Sequence, residues 1–358
     1  MPVDKNTIFS YIPLMSKTIF FVKKLRLFLL LATLFLSITA SGQKAKKERV
    51  VVAYVTSWSS CIPNLDVITH INYAFGHVND TFNGVRINNE QRLRTLTDLK
   101  KQKPLLKVLL SIGGWGSGRF SEMAGNETNR KAFAADCKRV INEFGLDGVD
   151  LDWEYPTSGM ANISSSPDDT KNFTLLIQNI RSLIGEDKLL TLASSANAKY
   201  IDFEAIEPYM DFVNIMTYDI GRPPHHHSAL SPSEFTRGLT CQSSVEAHVK
   251  AGMPIHKLVL GIPFYGHGTD EISNFINYKD IIKLEGYTRR WDNAAKVPYL
   301  VDSLEKFVCC YDDAESIEIK CQYIDTLGML GGMYWDYDGD DEQGTLQKAV
   351  YEGVTKRR

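Results

Sequence analysis

The sequence has few of the features that mark several common protein classes. It contains six cysteines in 358 residues and no CxxC pair, so a structural zinc site is not expected. Neither GxGxxG nor GxxxxGK[ST] occurs, which removes support for a nucleotide-binding sheet. Lysine and arginine total 40 against 43 acidic residues, without a basic block, so no nucleic-acid surface is predicted. An apolar content of 44% is too high for a disordered chain and indicates a globular one.

The first 42 residues differ from the rest of the chain. Basic residues precede an apolar run over 27–40, and small residues follow at 40–42. This order is typical of a secretory signal peptide cleaved before Gln43, with Met15 as an alternative start. An uncleaved membrane anchor is the alternative, but the run is shorter than the ~20 residues that span a bilayer. We therefore predict a secreted or periplasmic protein without stable membrane insertion, whose catalytic domain covers 43–358.

Eight short apolar runs alternate with longer amphipathic runs over the remaining residues. Such alternation indicates parallel strands joined by helices, and eight units favour a (β/α)8 TIM barrel over an open doubly wound sheet. The predicted strands are Val50–Tyr54, His70–Phe75, Leu106–Ser111, Gly148–Trp153, Leu189–Ser194, Phe212–Met216, Lys257–Ile262 and Gly332–Trp335. The predicted helices are Gln91–Lys101, Asn129–Phe144, Thr170–Ile184, Ser233–Ala251, Ala314–Leu327 and Glu342–Val350.

The spacing is uneven between the seventh and eighth strands. Residues 267–330 are too many for one helix, so we predict an inserted region there, followed by the last barrel helix before the final strand. In an exported chain, cysteines can pair. The pair we consider joins Cys321 to Cys309 or Cys310, whereas Cys137 lies in a predicted helix and is expected to be a buried thiol.

The fourth predicted strand ends in an acidic run, DGVDLDWEYP, over residues 147–156. Side chains alternate along a strand, so Asp150, Asp152 and Glu154 share one face, within about 7 Å of their neighbours. Three adjacent carboxylates do not all ionise cheaply, so at least one pKa should be raised, as a general acid requires. A solvated strand end or a metal site is the alternative. The apolar side chains on the opposite face argue against the first, and the missing EF-hand spacing argues against a calcium loop.

Five motifs in order resemble those of glycoside hydrolase family 18, the chitinases and their relatives. The acidic run resembles the family's catalytic signature. Residues 111–115 resemble its SxGG motif, 216–219 its MxYD motif, 261–266 its GxPxYG run, and 331–336 its eighth-strand segment. The resemblance covers nearly all of residues 49–350. It implies a TIM barrel with an insertion that is reduced relative to many family chitinases, hence a lower cleft wall and a more open groove.

The resemblance also implies a mechanism and roles for named residues. Family members retain anomeric configuration by substrate assistance, without an enzyme nucleophile. Glu154 would be the general acid and base, Asp152 would bind the acetamido N–H, Asp150 would share a proton with Asp152, and Tyr218 would hold the acetamido oxygen. Asp147 is out of phase and would order the strand start. The remaining implied substrate contacts are Trp335, Asp219, Met216, Tyr155, Trp115 and Tyr265.

The histidines bring one departure from the family pattern. His267 stands where many relatives carry arginine, which puts the contacts of that loop in doubt. The run His225–His227 does not indicate a metal site, because three adjacent imidazoles rarely converge on one ion. No cofactor or metal is predicted.

Three functions fit these residues. The first is a monomeric hydrolase of β-1,4-linked N-acetylglucosamine polymers or oligomers. The second is an endo-β-N-acetylglucosaminidase that acts on N-glycan cores by the same acetamido chemistry. The third is an inactive chitinase-like lectin, a class that typically loses the acid that this chain retains at Glu154.

Overall fold

Eight parallel strands close into a barrel in the computed structural model, which describes residues 48–269 and 271–355. Each of the eight predicted strands forms, so the TIM-barrel prediction is confirmed. The barrel closes where β1 pairs with both β2 and β14. The barrel strands are β1 (Val50–Thr56), β2 (His70–Val78), β4 (Lys107–Gly113), β5 (Gly148–Asp152), β6 (Leu189–Ser195), β7 (Phe212–Met216), β8 (Leu258–Pro263) and β14 (Gly331–Trp335), and β3 (Val85–Ile87) extends β2 as an antiparallel hairpin.

Helices pack around the outside of the barrel, and one short helix, Tyr278–Ile281, lies in the segment inserted after β8. Their bounds are α1 (Glu90–Asp98), α2 (Phe120–Gly125), α3 (Glu127–Phe144), α4 (Asp169–Ile184), α5 (Phe203–Ile206), α6 (Cys241–Lys250), α7 (Tyr278–Ile281), α8 (Ala314–Leu327) and α9 (Thr345–Thr355). No helix among the described residues is both long and apolar enough to cross a membrane. The predicted signal peptide at 1–42 lies outside the described residues.

The insertion after β8 folds as a second, antiparallel sheet. Its five strands stand in the order β10-β9-β13-β12-β11. The strands are β9 (Tyr265–Gly268), β10 (Ile276–Asn277), β11 (Thr288–Asp292), β12 (Val297–Val301) and β13 (Phe307–Cys310). The inserted sheet begins at Tyr265, two residues before the predicted start, and therefore carries Tyr265 and His267 on its first strand.

One predicted helix is too long. The stretch Ser233–Ala251 is helical only over α6. The reason is a capping box, in which Thr240 and Ser243 exchange side-chain and backbone hydrogen bonds and fix the helix start.

The considered disulfide is wrong, because Cys321 is bonded to neither Cys309 nor Cys310. Cys310 Sγ faces the carbonyl of His267 within the inserted sheet, whereas Cys321 Sγ faces the carbonyl of Val350 under α9. Cys137 is a buried thiol, as predicted.

Strand alternation divides the residues of β5 between two environments. Val149 and Leu151 belong to the apolar core between barrel and helices, together with Trp153, which stacks on Phe120 at a centroid distance of 5.3 Å. The residues between them therefore point into the barrel. Asp147, at the other end of the strand, accepts a hydrogen bond from the backbone of Val108 and orders the strand start as predicted.

Candidate active site

A cleft of about 1260 Å³ lies at the carboxyl ends of the barrel strands, where active sites of this fold form. Nine of the ten predicted site residues line it, contributed by five barrel strands or the segments that follow them. They are Trp115, Asp152, Glu154, Tyr155, Met216, Tyr218, Asp219, Tyr265 and Trp335. The tenth, Asp150, is fully buried in the barrel interior.

Asp150 is fixed by hydrogen bonds from four different strands. Tyr54 and Ser111 donate to Oδ2, each at 2.8 Å, and Thr191 and Asn214 donate to Oδ1 at 2.5 and 3.2 Å. Burial still raises the pKa of Asp150 above its ordinary value, although all four donors favour the ionised form. These donors occupy both oxygens, and Asp152 is not among the partners of Asp150.

Asp152 lies two residues after Asp150, and its pKa is also raised. Its side chain is almost entirely buried, and Oδ1 has no hydrogen-bond partner. Burial raises its pKa well above the ordinary value, and the charges of Glu154 and Asp150 raise it further. The raised pKa of Asp152 agrees with the prediction from strand alternation that at least one of these carboxyl groups holds its proton to a higher pH than usual.

Glu154 lies just beyond the end of β5, in the cleft. Burial is the main cause that raises its pKa from 4.5 to about 7. A hydrogen bond with Tyr155 lowers the pKa, and the charge of Asp219 raises it. A carboxylic acid with this pKa is protonated in about half of the molecules at neutral pH and can both give and take a proton there.

Tyr218 and Asp219 follow β7 and face the acid from across the cleft. Tyr218 is buried, its ring packs edge-on against Tyr265 at 6.1 Å, and its hydroxyl has the Met333 sulfur as a distant partner at 3.9 Å. Burial favours the neutral form of Asp219, but the imidazoles of His227 and His267 outweigh it and hold its pKa well below the ordinary range. Asp219 is therefore a persistent negative charge beside Glu154.

Aromatic rings form the floor and the rim of the cleft. Trp335 lies at the end of β14 and stacks on Phe75, with ring centroids 5.4 Å apart. Tyr155 stacks on Tyr200 at 5.0 Å. Trp115 and Trp58 leave 60% and 70% of their surface exposed within the cleft, so both offer a ring face to a bound ligand. Flat apolar faces with polar neighbours suit sugar rings.

A glycine turn brings β4 against the catalytic strand. Gly113 has φ +132°, and a Cβ at this position would lie 2.0 Å from the carbonyl oxygen of Asp152. The next residue, Gly114, donates its backbone N–H to the same oxygen at 2.8 Å. The SxGG motif therefore supports the acidic run twice, since Ser111 binds Asp150 and the glycines admit the Asp152 backbone.

Sequence reasoning missed several residues that complete the site. Thr191 and Asn214 bind Asp150 from β6 and β7, and His227 joins His267 beside Asp219. Polar residues within the apolar runs LLTLASS and FVNIM could have indicated the first two, because a buried polar side chain needs a partner. Further residues that line the cleft are Asn197, Tyr200, Arg222, Asn274 and Phe275.

Known proteins are similar to this chain over most of its length. The model of the family described as glycosyl hydrolases family 18 matches residues 50–340. The chain is 30% identical to chitinase A1 of Niallia circulans, with 97% of this chain and 64% of that protein covered. It is also 30% identical to chitotriosidase-1 of Mus musculus, with 83% of this chain and 74% of that protein covered.

One solved structure is similar to this chain in both fold and amino-acid sequence. It is described as a novel glycoside hydrolase family 18 N-acetylglucosaminidase from Paenibacillus barengoltzii. It superposes with a TM-score of 0.77 at 34% identity, covering 86% of this chain and all of that one.

Proposed function

Because the chain belongs to glycosyl hydrolases family 18, we propose that it cleaves β-1,4 bonds between N-acetylglucosamine units in chitin-type polymers or oligomers. The observation that carries the proposal is the position of Glu154, whose pKa is raised to about 7 in an aromatic cleft beside Asp152 and Tyr218. The relatives named chitinases support this substrate class. The chain keeps the general acid Glu154 as well as the floor residue Trp335. A protein that only binds sugar does not need the acid.

The proposed reaction retains configuration and uses the substrate's own acetamido group. Glu154 donates its proton to the glycosidic oxygen, and the bond between this oxygen and the anomeric carbon breaks. The acetamido oxygen forms a new bond to the anomeric carbon, which gives an oxazolinium ion. Water then attacks the anomeric carbon and gives its proton to the Glu154 carboxylate, while the bond between the anomeric carbon and the acetamido oxygen breaks and the acetamido group is restored. Glu154 therefore returns to its starting form, and the pKa near neutrality suits both steps.

The neighbouring groups have positioning and electrostatic roles in this proposal. Asp152 binds the acetamido N–H and offsets the positive charge of the oxazolinium ion. Tyr218 directs the acetamido oxygen at the anomeric carbon, which supplies the orientation that an intramolecular attack needs. Asp219 contacts the bound sugar, together with Met216, Tyr155, Trp115 and Tyr265, and Trp335 lies beneath the sugar whose bond is cleaved.

The setting of the protein is part of the proposal. We infer export from the signal-like segment at 1–42, and a monomer from the long accessible cleft of a single barrel. The inserted sheet supplies the wall that contains Tyr265 and His267, and its limited size favours an open groove that accepts chain interiors or branched glycans.

Product analysis by mass spectrometry tests the assignment. Wild type and Glu154→Gln are each offered chitin hexasaccharide and a high-mannose glycopeptide. The control is Glu186→Gln, because Glu186 is an exposed carboxylate outside the cleft. We expect chitobiose or chitotriose from the hexasaccharide with wild type and Glu186→Gln. Loss of the general acid should reduce turnover about 10²–10⁴-fold.

Each other outcome changes the assignment. Release of single N-acetylglucosamine units would indicate exo action. Cleavage of the glycopeptide that leaves one N-acetylglucosamine on the peptide would indicate an N-glycan endoglycosidase. No cleavage of either compound, together with retained oligosaccharide binding, would indicate a lectin. Near-normal turnover by Glu154→Gln would contradict the role of Glu154.

A further inference from the structure

A buried imidazole beside the cleft has no hydrogen-bond partner. The His227 side chain is 1% exposed, and neither Nδ1 nor Nε2 is hydrogen bonded. A buried ring with two unpaired nitrogens is costly unless something binds them. The imidazoles next to it have other arrangements, since His226 turns away to Asp292 at 3.1 Å. The orphaned nitrogens of His227 therefore need an explanation of their own.

His227 points toward two groups that metals bind. Its Nδ1 is 3.9 Å from Oδ1 of Asp219, and Nε2 of His267 is 2.5 Å from the same oxygen. One ligand atom from each of these three side chains lies within 4.8 Å of the others. Ligand atoms bound to one tetrahedral zinc ion at ~2.0–2.1 Å lie about 3.4 Å apart. Shifts of about 1 Å would therefore bring all three onto one ion.

The cluster is open to the cleft on one side. Half of the Asp219 side chain is exposed there. This side gives a metal ion, and a water molecule as its fourth ligand, access to the three side chains.

The contacts around His267 orient its Nε2 toward Asp219. Its Nδ1 lies against the backbone carbonyl of Asn274, which leaves Nε2 to face Asp219. Metal-bound histidines characteristically fix their second nitrogen in this way. The guanidinium of Arg222 also approaches Nδ1, at 2.8 Å, on the side of the ring remote from Asp219. Its positive charge weakens the affinity for a cation but does not occupy a ligand position.

We propose that Asp219, His227 and His267 form a binding site for a divalent transition-metal ion of the Zn²⁺ type. Two imidazole nitrogens and one carboxylate oxygen suit zinc, cobalt or nickel, whereas Mg²⁺ and Ca²⁺ prefer sets made of oxygen. Because Asp219 lies in the cleft, a bound ion withdraws this carboxylate from substrate and neutralises its charge near Glu154. Zinc therefore acts as an inhibitor of the proposed hydrolase.

Direct binding measurements test the site without reference to hydrolysis. Protein without a histidine tag is titrated with Zn²⁺ by calorimetry, and with Co²⁺ by visible absorption. We expect one ion per chain, cobalt bands of a tetrahedral or five-coordinate nitrogen–oxygen site, and no comparable binding of Mg²⁺. His227→Gln and Asp219→Asn should each weaken zinc binding by at least about tenfold.

The controls separate this cluster from other ligands. His225→Gln removes a neighbouring imidazole of the same run that is not part of the cluster and should bind zinc as wild type does. Asp219→Asn keeps the test decisive if His227→Gln does not fold, since the Asp219 side chain is half exposed. The proposal would be overturned if zinc binding did not saturate, or if both cluster variants bound zinc as tightly as wild type. A thiolate charge-transfer band, which would indicate Cys61 as a ligand, would also overturn it. None of these outcomes depends on the substrate of the enzyme.

Discussion

The raised pKa of Glu154 has a measurable effect on stability. When folding raises the pKa of a carboxyl group, the folded state keeps its proton over a pH range where the unfolded chain has lost it. Stability is therefore greatest below pH 4.5 and falls by about 1.4 kcal/mol per pH unit until the pH passes the folded value. For Glu154 this range extends from 4.5 to about 7, so about 3 kcal/mol of the free energy of unfolding is lost across it.

Glu154→Gln removes this titration and leaves a side chain of similar shape. The difference in free energy of unfolding between variant and wild type should therefore change by about 3 kcal/mol between pH 4 and pH 8, in favour of the variant at pH 8. Urea denaturation at both pH values measures the difference, and the titrations common to both proteins cancel. Asp152 titrates together with Glu154, so the measured change belongs to the pair.

The proton on Glu154 also determines how the rate of hydrolysis depends on pH. The value of kcat/KM for a fluorogenic chitobioside should fall above about pH 7, because free enzyme with ionised Glu154 cannot act as an acid. Asp219→Asn removes a charge that raises this pKa, so the alkaline limb should move to lower pH. Glu186→Gln should leave both the limb and the stability difference unchanged. A stability difference that is constant from pH 4 to 8, with a limb near pH 9, would refute the assignment of the proton to Glu154.

Two further predictions concern the scaffold that supports the site. Lys320 is completely buried, donates to both oxygens of Asp312 at 2.7 and 2.8 Å, and binds Ser228. Lys320→Met leaves the buried Asp312 carboxylate without its cation and should cost about 3–5 kcal/mol by urea denaturation. The double variant with Asp312→Leu should recover most of this loss, and equal stability of all three proteins would contradict the argument. Gly113→Ala places a Cβ 2.0 Å from the Asp152 carbonyl oxygen, so we expect a lower Tm and a lower kcat. Unchanged values of both would be inconsistent with so close an approach of the two strands.

The sequence predicted the barrel and the acidic run because both depend on short-range alternation. Residues 147–156 place carboxylates and apolar side chains on opposite faces of β5, and the structure keeps that division at Asp150 and Val149. The eight strands were predictable for the same reason. The start of α6 was missed, because the capping box of Thr240 and Ser243 competed with an apolar pattern that continued upstream.

Contacts between residues that are far apart in the sequence could not be predicted from local alternation. Thr191 and Asn214 bind Asp150 across 41 and 64 residues of sequence, so nothing in the local pattern identifies the partners. Three adjacent imidazoles were expected to point in different directions, and in the structure His226 faces Asp292. The histidine run could not indicate that His227, in the loop after β7, meets His267 of β9. The strands of the insertion are short and irregular, and their pairing order was not evident from periodicity.

The two charges that act on the acidic pair differ in their access to solvent. Asp150 is sealed inside the barrel, whereas the Asp219 side chain is half exposed in the cleft. The distance over which mobile ions screen an exposed charge falls from about 8 Å at physiological ionic strength to about 3 Å at 1 M salt, but these ions do not enter the barrel interior. Salt therefore weakens the influence of Asp219 on Glu154 and leaves that of Asp150 on Asp152 intact. In brines, the pKa of Glu154 therefore moves down toward its ordinary value, whereas the effect of Asp150 on the pKa of Asp152 is unchanged, so the two halves of the site respond differently to salt.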